Sequence, residues 1–473
     1  MNNRYLWSNV ACLIIGLCAA PLRSNEASIV DTEAAAACRQ LTSADFAGIQ
    51  DAPTQVTEAK LIPAAGDVPA YCNVRGYITP NVGIELKLPT ENWNGKFLEM
   101  GCGGLCGVLF SSYSKNPGHD CDHGLRKGYA CIASDQGHQG TMGDGKWAYN
   151  NLQAQIDYAF RATHVAALAG KAITEHYYGK APRKSYFWGC SGGGRQGMVE
   201  AQKFPWDFDG IVVVDAAINL SDVLMSYLWN THVATQDGKA LFRPADVKWL
   251  HEAVVAKCDM DDGVKDGVIG NPLACKIDPS EWACKAGQKE QCLSAAQAEA
   301  FAKIYAGPTN SKGEILIGGF VPGMEFGIPT TTKAYSLSRD FFQYMGFMAA
   351  PGPSWKPSDF DFDRDYKRLA LAQALLEDAN PDLHKFKAAG GKLILAHAWT
   401  DSLPPLNTID YYETAERTMG GREATQDFFR LFMVPGMDHC SGGAGAYAID
   451  YLSSLENWTE KGQAPDVMIG AHV

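Results

Sequence analysis

The 473-residue chain has no long basic run, no Cys-x-x-Cys pair and no apolar stretch long enough for a confident membrane span. Each absence removes a class of function. Lys and Arg number 41 against 53 Asp and Glu, a formal charge of −12, so nothing supplies the electrostatic footprint of a nucleic-acid binder. An acidic surface of this kind implies solubility and no more. Without Cys-x-x-Cys, thiol–disulfide exchange has no motif to work through. The length suits one large domain carrying a substantial insertion.

What is present begins with a leader. Arg4 precedes an apolar segment from Leu6 to Ala20, which gives way to small residues and then a polar stretch. That order predicts a secretory signal peptide over 1–27, with a secreted or periplasmic product. Cysteine usage agrees. Two of the 14 cysteines, Cys12 and Cys18, lie in the leader, and an even number remains for the mature chain. In an oxidising compartment these pair as disulfides. Cys102, Cys106, Cys121 and Cys131 also fit a zinc site, but structural zinc is uncommon in exported chains with so many other cysteines.

The central stretch is Ser185-Tyr-Phe-Trp-Gly189-Cys190-Ser191-Gly192-Gly193-Gly194-Arg195. A β-favouring aromatic run enters a Gly-x-Ser-x-Gly turn, and a helix-compatible run leaves it toward Lys203. This is the context of a nucleophile elbow, in which glycines flank a serine held at a strained backbone position. Gly210-Ile-Val-Val-Val214 then reads as the next buried strand. Ile84–Leu88, Gly95–Met100 and Tyr129–Ser134 read as earlier strands, and 38–80 as an extended, β-rich approach. Asn151 to Tyr178 carries one long helical period. His164 falls inside it and reads as a packed helix histidine.

Strand–helix alternation with continuous apolar strands predicts an α/β fold with a parallel sheet. An α/β-hydrolase core is expected over 28–217 and 384–473. Between them, 218–383 lacks βα alternation, is rich in Trp, Pro and Cys, and is expected to form an inserted lid domain. After it, Gly391–Ala396 and Phe428–Val434 resume the sheet. The first leads to Asp401 and the second to His439. Ser191, Asp401 and His439 thus stand at strand ends in the chain order that a hydrolase triad requires. Asp438 is a competing acid, but it adjoins His439 and points wrongly to orient the ring. His397 is a competing base, but it precedes the acid. Gly192, together with Gly103 or Gly104 of the loop Gly101–Gly107, supplies the candidate oxyanion-hole N–H groups.

With these residues in place, the chain resembles the tannase/feruloyl esterase family, whose mark reads here Cys190-Ser191, Asp401 and His439-Cys440. The resemblance extends to Asn94-Gly-Lys and Ser134-Asp135-x-Gly-His138. It implies a Cys190–Cys440 disulfide tying the elbow to the histidine, with Cys258–Cys275, Cys284–Cys292 and Cys38–Cys72 as further bridges. The Cys102, Cys106, Cys121 and Cys131 set departs from the plainer glycine loop of the family.

The lid segment Cys258–Val268 packs four aspartates among glycines. By composition it suits either a calcium loop or a solvated turn, and it is not an EF-hand. The family resemblance implies structural calcium held by Asp259, Asp262, Asp266 and the carbonyls of Val264 and Val268. It also implies a serine esterase acting on a small aromatic ester such as a feruloyl, galloyl or terephthalate ester. Trp229, Phe326, Phe342, Tyr344 and Trp355 are its candidate specificity residues. The competing expectations are an esterase or lactonase for a non-aromatic ester and a calcium-dependent binding protein.

Overall fold

The apolar, β-branched and aromatic runs form one nine-stranded sheet in the computed structural model, which describes residues 33–109, 120–376 and 378–473. The expected leader lies outside the described residues. The strands are β1 (Thr54–Ile62), β2 (Tyr71–Ile78), β3 (Val82–Pro89), β4 (Lys96–Met100), β5 (Ala130–Ser134), β6 (Lys184–Cys190), β7 (Gly210–Val214), β8 (Lys392–Ala398) and β9 (Phe429–Val434). Their spatial order is β1-β2-β3-β5-β4-β6-β7-β8-β9. The first three pair antiparallel, and β3 pairs antiparallel with β5. Every pairing from β5 to β9 is parallel.

The central strands are apolar along their whole length because both faces are covered. Phe187, Ile211, Val213, Leu393 and Leu395 point to one face, against Val165 and Ile173 of α1 (Ala162–Tyr178) and Met198 of α2 (Gly192–Lys203). Tyr186, Trp188, Val212, Val214 and Ile394 point to the other, against Tyr451, Leu455 and Trp458 of the last long helix. The alternation is the two-residue period of a strand, read twice over.

Two expectations of local structure need correction. The stretch 38–80 is not wholly extended, since a helix (Glu33–Gln40) precedes β1 and is tied to β2 by Cys38–Cys72. The helix expected over 151–178 is interrupted by a π-helical turn at Asp157–Arg161. The cause is a long-range contact. The buried guanidinium of Arg195, from α2, donates to the carbonyls of Tyr158 at 2.6 Å and Ala159 at 3.0 Å. It also lies 4.8 Å from the Tyr158 ring centroid. A wide turn frees carbonyls that a regular helix would use itself.

Among the described residues, segment 218–383 contributes no strand to the large sheet. It carries α3 (Leu220–Val233) and α4 (Ser336–Tyr344) and packs an apolar cluster around Phe341, Phe342 and Phe360 that also takes in Leu105, Tyr158 and Leu403 of the core. Its two ends meet: the Asn219 N–H donates to Asp378 Oδ1 at 3.0 Å. Burial pushes the Asp378 carboxyl up to about 7, with nearby Arg195 opposing the shift.

Arg195 thus joins the elbow helix, the π turn and, through the Leu376 carbonyl at 3.4 Å, the far end of the insertion. Replacing it with leucine strands buried carbonyls and removes charge-assisted bonds, which should cost about 3 kcal/mol. Denaturant unfolding of Arg195→Leu checks this, and a loss below roughly 1 kcal/mol would refute the clamp.

Candidate active site

The elbow is built by close backbone packing. Ser191 sits at φ 59°, ψ −123°, between the end of β6 and the start of α2. A serine holds this strained conformation only because its surroundings enforce it. A Cβ on Gly189 would come within 2.3 Å of the Gly193 carbonyl oxygen, and one on Gly192 within 2.7 Å of that of Gly104. Larger residues at either place would prise α2 from the strand or from the facing loop. The Ser191 N–H donates to the Val214 carbonyl of β7 at 3.0 Å.

Asp401 and His439 follow the ends of β8 and β9. Asp401 is fully buried, and its Oδ2 accepts from His439 Nδ1 at 2.8 Å. Its Oδ1 accepts the Leu403 N–H at 3.0 Å, which fixes the carboxylate plane. With Nδ1 donating, Nε2 is the free acceptor of the imidazole. Burial favours the neutral ring, but the Asp401 carboxylate outweighs it and Asp215 adds to the same effect, so His439 is pushed up to about 9. The two competing assignments fall away. Asp438 turns to Thr400 Oγ1 at 3.4 Å and makes no bond to the ring. His397 is buried with both nitrogens engaged, at 3.1 Å to the Leu403 carbonyl and 2.8 Å to Thr408 Oγ1. His164 is likewise remote, paired with Asp207 at 2.5 Å.

Opposite the elbow lies the loop Gly101–Gly107, cross-linked by Cys102–Cys106, while Cys121–Cys131 ties the following helix to β5. All twelve cysteines among the described residues therefore pair, and the zinc alternative is gone. Gln196 of α2 clasps the Cys102 peptide, accepting its N–H at 3.1 Å and donating to its carbonyl at 3.2 Å. Tyr158 donates to the Gly104 carbonyl at 3.1 Å. His138 stacks on Trp147 and faces the Leu105 carbonyl through Nε2 at 2.8 Å. Burial lowers this ring to about 4, so it is neutral and serves as a fixed donor. Of the two candidate glycines, Gly104 borders the cavity with Ser191 and Gly192, whereas Gly103 does not. Among the described residues, neither the Gly104 nor the Gly192 N–H has an acceptor.

Ser191, Gly192, Gly104 and His439 share one cavity of about 80 Å³. Its remaining wall is mostly from the insertion: Leu220, Leu224 and Tyr227 of α3, with Tyr335 and Leu337 at α4. Tyr227 is held by Ser402 Oγ at 2.9 Å and leans on Tyr335 with ring centroids 5.0 Å apart. Among the described residues, no Lys or Arg lines it. None of the five expected specificity aromatics does so either. Phe342, Tyr344 and Trp355 are buried in the apolar cluster the insertion shares with the core, Trp229 is buried against Phe362, and Phe326 is exposed beside a different hollow. An apolar face could be read from the sequence, but not which cluster each aromatic would join.

The aspartate-rich loop is closed by Cys258–Cys275. One oxygen of each carboxylate is held by backbone: Asp259 Oδ1 by the N–H groups of Asp266 and Gly267, Asp262 Oδ1 by Val264, and Asp266 Oδ1 by Val268. The donor chemistry, carboxylates and carbonyls only, fits calcium. At this loop the ligand atoms within 4.8 Å of one another belong to Cys258, Asp261 and Cys275, not to Asp259, Asp262 and Asp266. An ion would therefore have to draw the three carboxylates together.

Three residues of consequence escaped the sequence reading: Arg195, Gln196 and Asp215. The first two lay in the elbow helix, where polar side chains usually face water. Asp215 follows β7, and its only signal was an acid at the C-terminal end of a strand.

Residues 66–472 match the family described as tannase and feruloyl esterase. The chain is 32% identical to a probable feruloyl esterase B-2 of Aspergillus flavus, over 84% of this chain and 79% of that one. It is also 32% identical to the mono(2-hydroxyethyl) terephthalate hydrolase of Piscinibacter sakaiensis, covering 85% and 78%. The crystal structure of feruloyl esterase B from Aspergillus oryzae superposes with a TM-score of 0.80 at 26% identity, covering 92% and 93%. With its α/β-hydrolase core, its Cys190–Cys440 bridge and this match over most of its length, the chain belongs to the tannase and feruloyl esterase family of carboxylic ester hydrolases.

Proposed function

We propose that the protein is an exported serine esterase for neutral aromatic esters, working through Ser191, His439 and Asp401. The observation that carries this is the bond from His439 to the buried Asp401, beside a strained serine on the same small cavity. His439 Nε2 takes the Ser191 proton as Oγ attacks the ester carbonyl. The developing oxyanion turns to the unpaired N–H groups of Gly192 and Gly104. The imidazolium then protonates the leaving alcohol, and a water activated by His439 releases the acid. Export is supported by the leader pattern and by six disulfides.

The cavity bears on the acyl group. Its leucines and the Tyr227–Tyr335 pair suit a flat neutral ring, as the feruloyl names among its relatives suggest. A terephthalate monoester would bring a second carboxylate to a wall whose described residues include no Lys or Arg, an uncompensated charge that is costly to bury. Wild type and Ser191→Ala should be assayed on methyl ferulate, methyl gallate, an aliphatic p-nitrophenyl ester and a terephthalate monoester. The mutant should lose on the order of 10⁴-fold or more in kcat, and the terephthalate monoester should be the poorest substrate. Turnover by Ser191→Ala at the wild-type rate would sink the mechanism. A preference for the aliphatic ester would reassign the acyl slot.

The pH dependence follows from the base. Only neutral His439 can accept the serine proton, and its pKa is raised to about 9. Activity should therefore climb with pH through the neutral range and level off only near the alkaline end. A kcat/KM profile already flat above about pH 7 would contradict this, since an unperturbed histidine titrates near 6.5.

Calcium, bound by Asp259, Asp262, Asp266 and the Val264 and Val268 carbonyls, would staple the loop. Val268 lies against the histidine turn, where a Cβ on Gly436 would come within 3.0 Å of it. Chelation should lower the melting temperature of wild type, while Asp262→Asn should bind less metal and respond less. Unchanged melting and no metal in the purified protein would remove the site.

A further inference from the structure

Asp215 is buried at the end of β7, with φ 44°, and both of its oxygens are engaged. Oδ1 accepts the Ala398 N–H at 2.7 Å, and Oδ2 accepts the Cys440 N–H at 2.6 Å. One amide closes the strand that leads to Asp401, and the other belongs to the residue after His439. A carboxylate oxygen of Asp215, one of Asp401 and a ring nitrogen of His439 all lie within 4.8 Å of one another. Two carboxylates therefore face one imidazole, and only Asp401 touches it.

We propose that Asp215 is a positioning residue for ester hydrolysis: it pins the Cys440 amide, and so the His439 ring, and its charge stabilises the imidazolium formed when Ser191 attacks. The proposal rests on the triad reading given above. Asp215 takes no proton; the serine proton goes to His439 Nε2.

The chemistry favours a charged residue here for two reasons. Accepting two backbone N–H groups at once needs an acceptor-only side chain, which an ionised carboxylate is and an amide is not. Two buried carboxylates at this separation also repel. Burial and Asp401 push Asp215 up to about 6, with His397 and His439 opposing. That repulsion is relieved when a positive ring forms between them, so the pocket favours the charged intermediate over the resting state. The other groups facing this cluster do not provide the same effect. His397 is engaged by Leu403 and Thr408, Asp438 turns to Thr400, and the Tyr227 and Tyr451 hydroxyls are kept neutral by burial.

The test is the pH profile of kcat/KM for Asp215→Asn and Asp215→Ala, with Ser191→Ala alongside. Loss of a charge this close should lower the His439 pKa by about one unit, moving the rising limb to lower pH. The plateau kcat should fall about tenfold, the equivalent of that unit of imidazolium stabilisation, with KM little changed. A purely structural Asp215 would lower stability and leave the limb in place, which would overturn the proposal. Should neither variant fold, wild type decides. The limb itself should lie well above the range of an ordinary histidine, since two carboxylates face the ring; a limb at the ordinary value of about 6.5 shows that neither charge acts on it and overturns the proposal. An active Ser191→Ala would instead fail the triad reading. An inactive Ser191→Ala with an unshifted limb would fail only the role of Asp215.

Discussion

The Cys190–Cys440 disulfide joins the residue before the elbow serine to the residue after the site histidine, across 250 positions of sequence. The rest of the site depends on that link. The turn carrying His439 is short of regular structure and rich in glycine, and main-chain bonds such as Asp438 N–H to Gly442 O shape it only locally. Closing so long a loop removes on the order of 5 kcal/mol of unfolded-chain entropy. Its local effect matters more for chemistry: the histidine cannot drift from the serine, because their neighbours share a covalent bond. The Cys440 amide is held again by Asp215, so the same residue is fixed by sulfur on one side and by charge on the other.

The opposite wall is organised differently. The elbow side is rigid because glycine backbones touch, whereas in the loop Gly101–Gly107 side chains brace three of the peptide groups. Gln196 holds Cys102, Tyr158 holds Gly104 and His138 holds Leu105. Two of these braces connect to α2 or to the π turn that Arg195 stabilises. The loop peptides and Ser191 are therefore set by one helix, and a shift of α2 would move both together. This suits a reaction whose transition state tolerates little misplacement of donors.

Much of this was legible in the sequence because it is local. Strands announced themselves by continuous apolar runs, and the elbow by glycines around Ser191. The order Ser191, Asp401, His439 followed from strand ends, and the bridges through Cys190 and Cys440 from the family resemblance. What escaped was long-range. The π turn at Asp157–Arg161 exists because Arg195, some 36 positions away, needs its carbonyls. The cavity wall comes from Tyr227 and Tyr335 rather than from the more conspicuous Trp229 or Trp355, because helix packing decides which aromatic faces inward. Asp215 looked like an ordinary acid after a strand until both of its oxygens were seen to be occupied.

The meeting of Asn219 and Asp378 has a consequence for how this fold can vary. The insertion leaves and rejoins the core at one hydrogen-bonded stem, 159 positions apart in sequence and adjacent in space. A segment attached this way behaves like a bead on a clasp. Its length and internal packing can change without altering the geometry the core must accommodate, because the sheet contributes only the two ends. Most of the apolar cavity wall is carried on that bead, while Ser191, Asp401 and His439 are not. On the proposed mechanism, the architecture thus separates the residues that would select the ester from those that would cleave it.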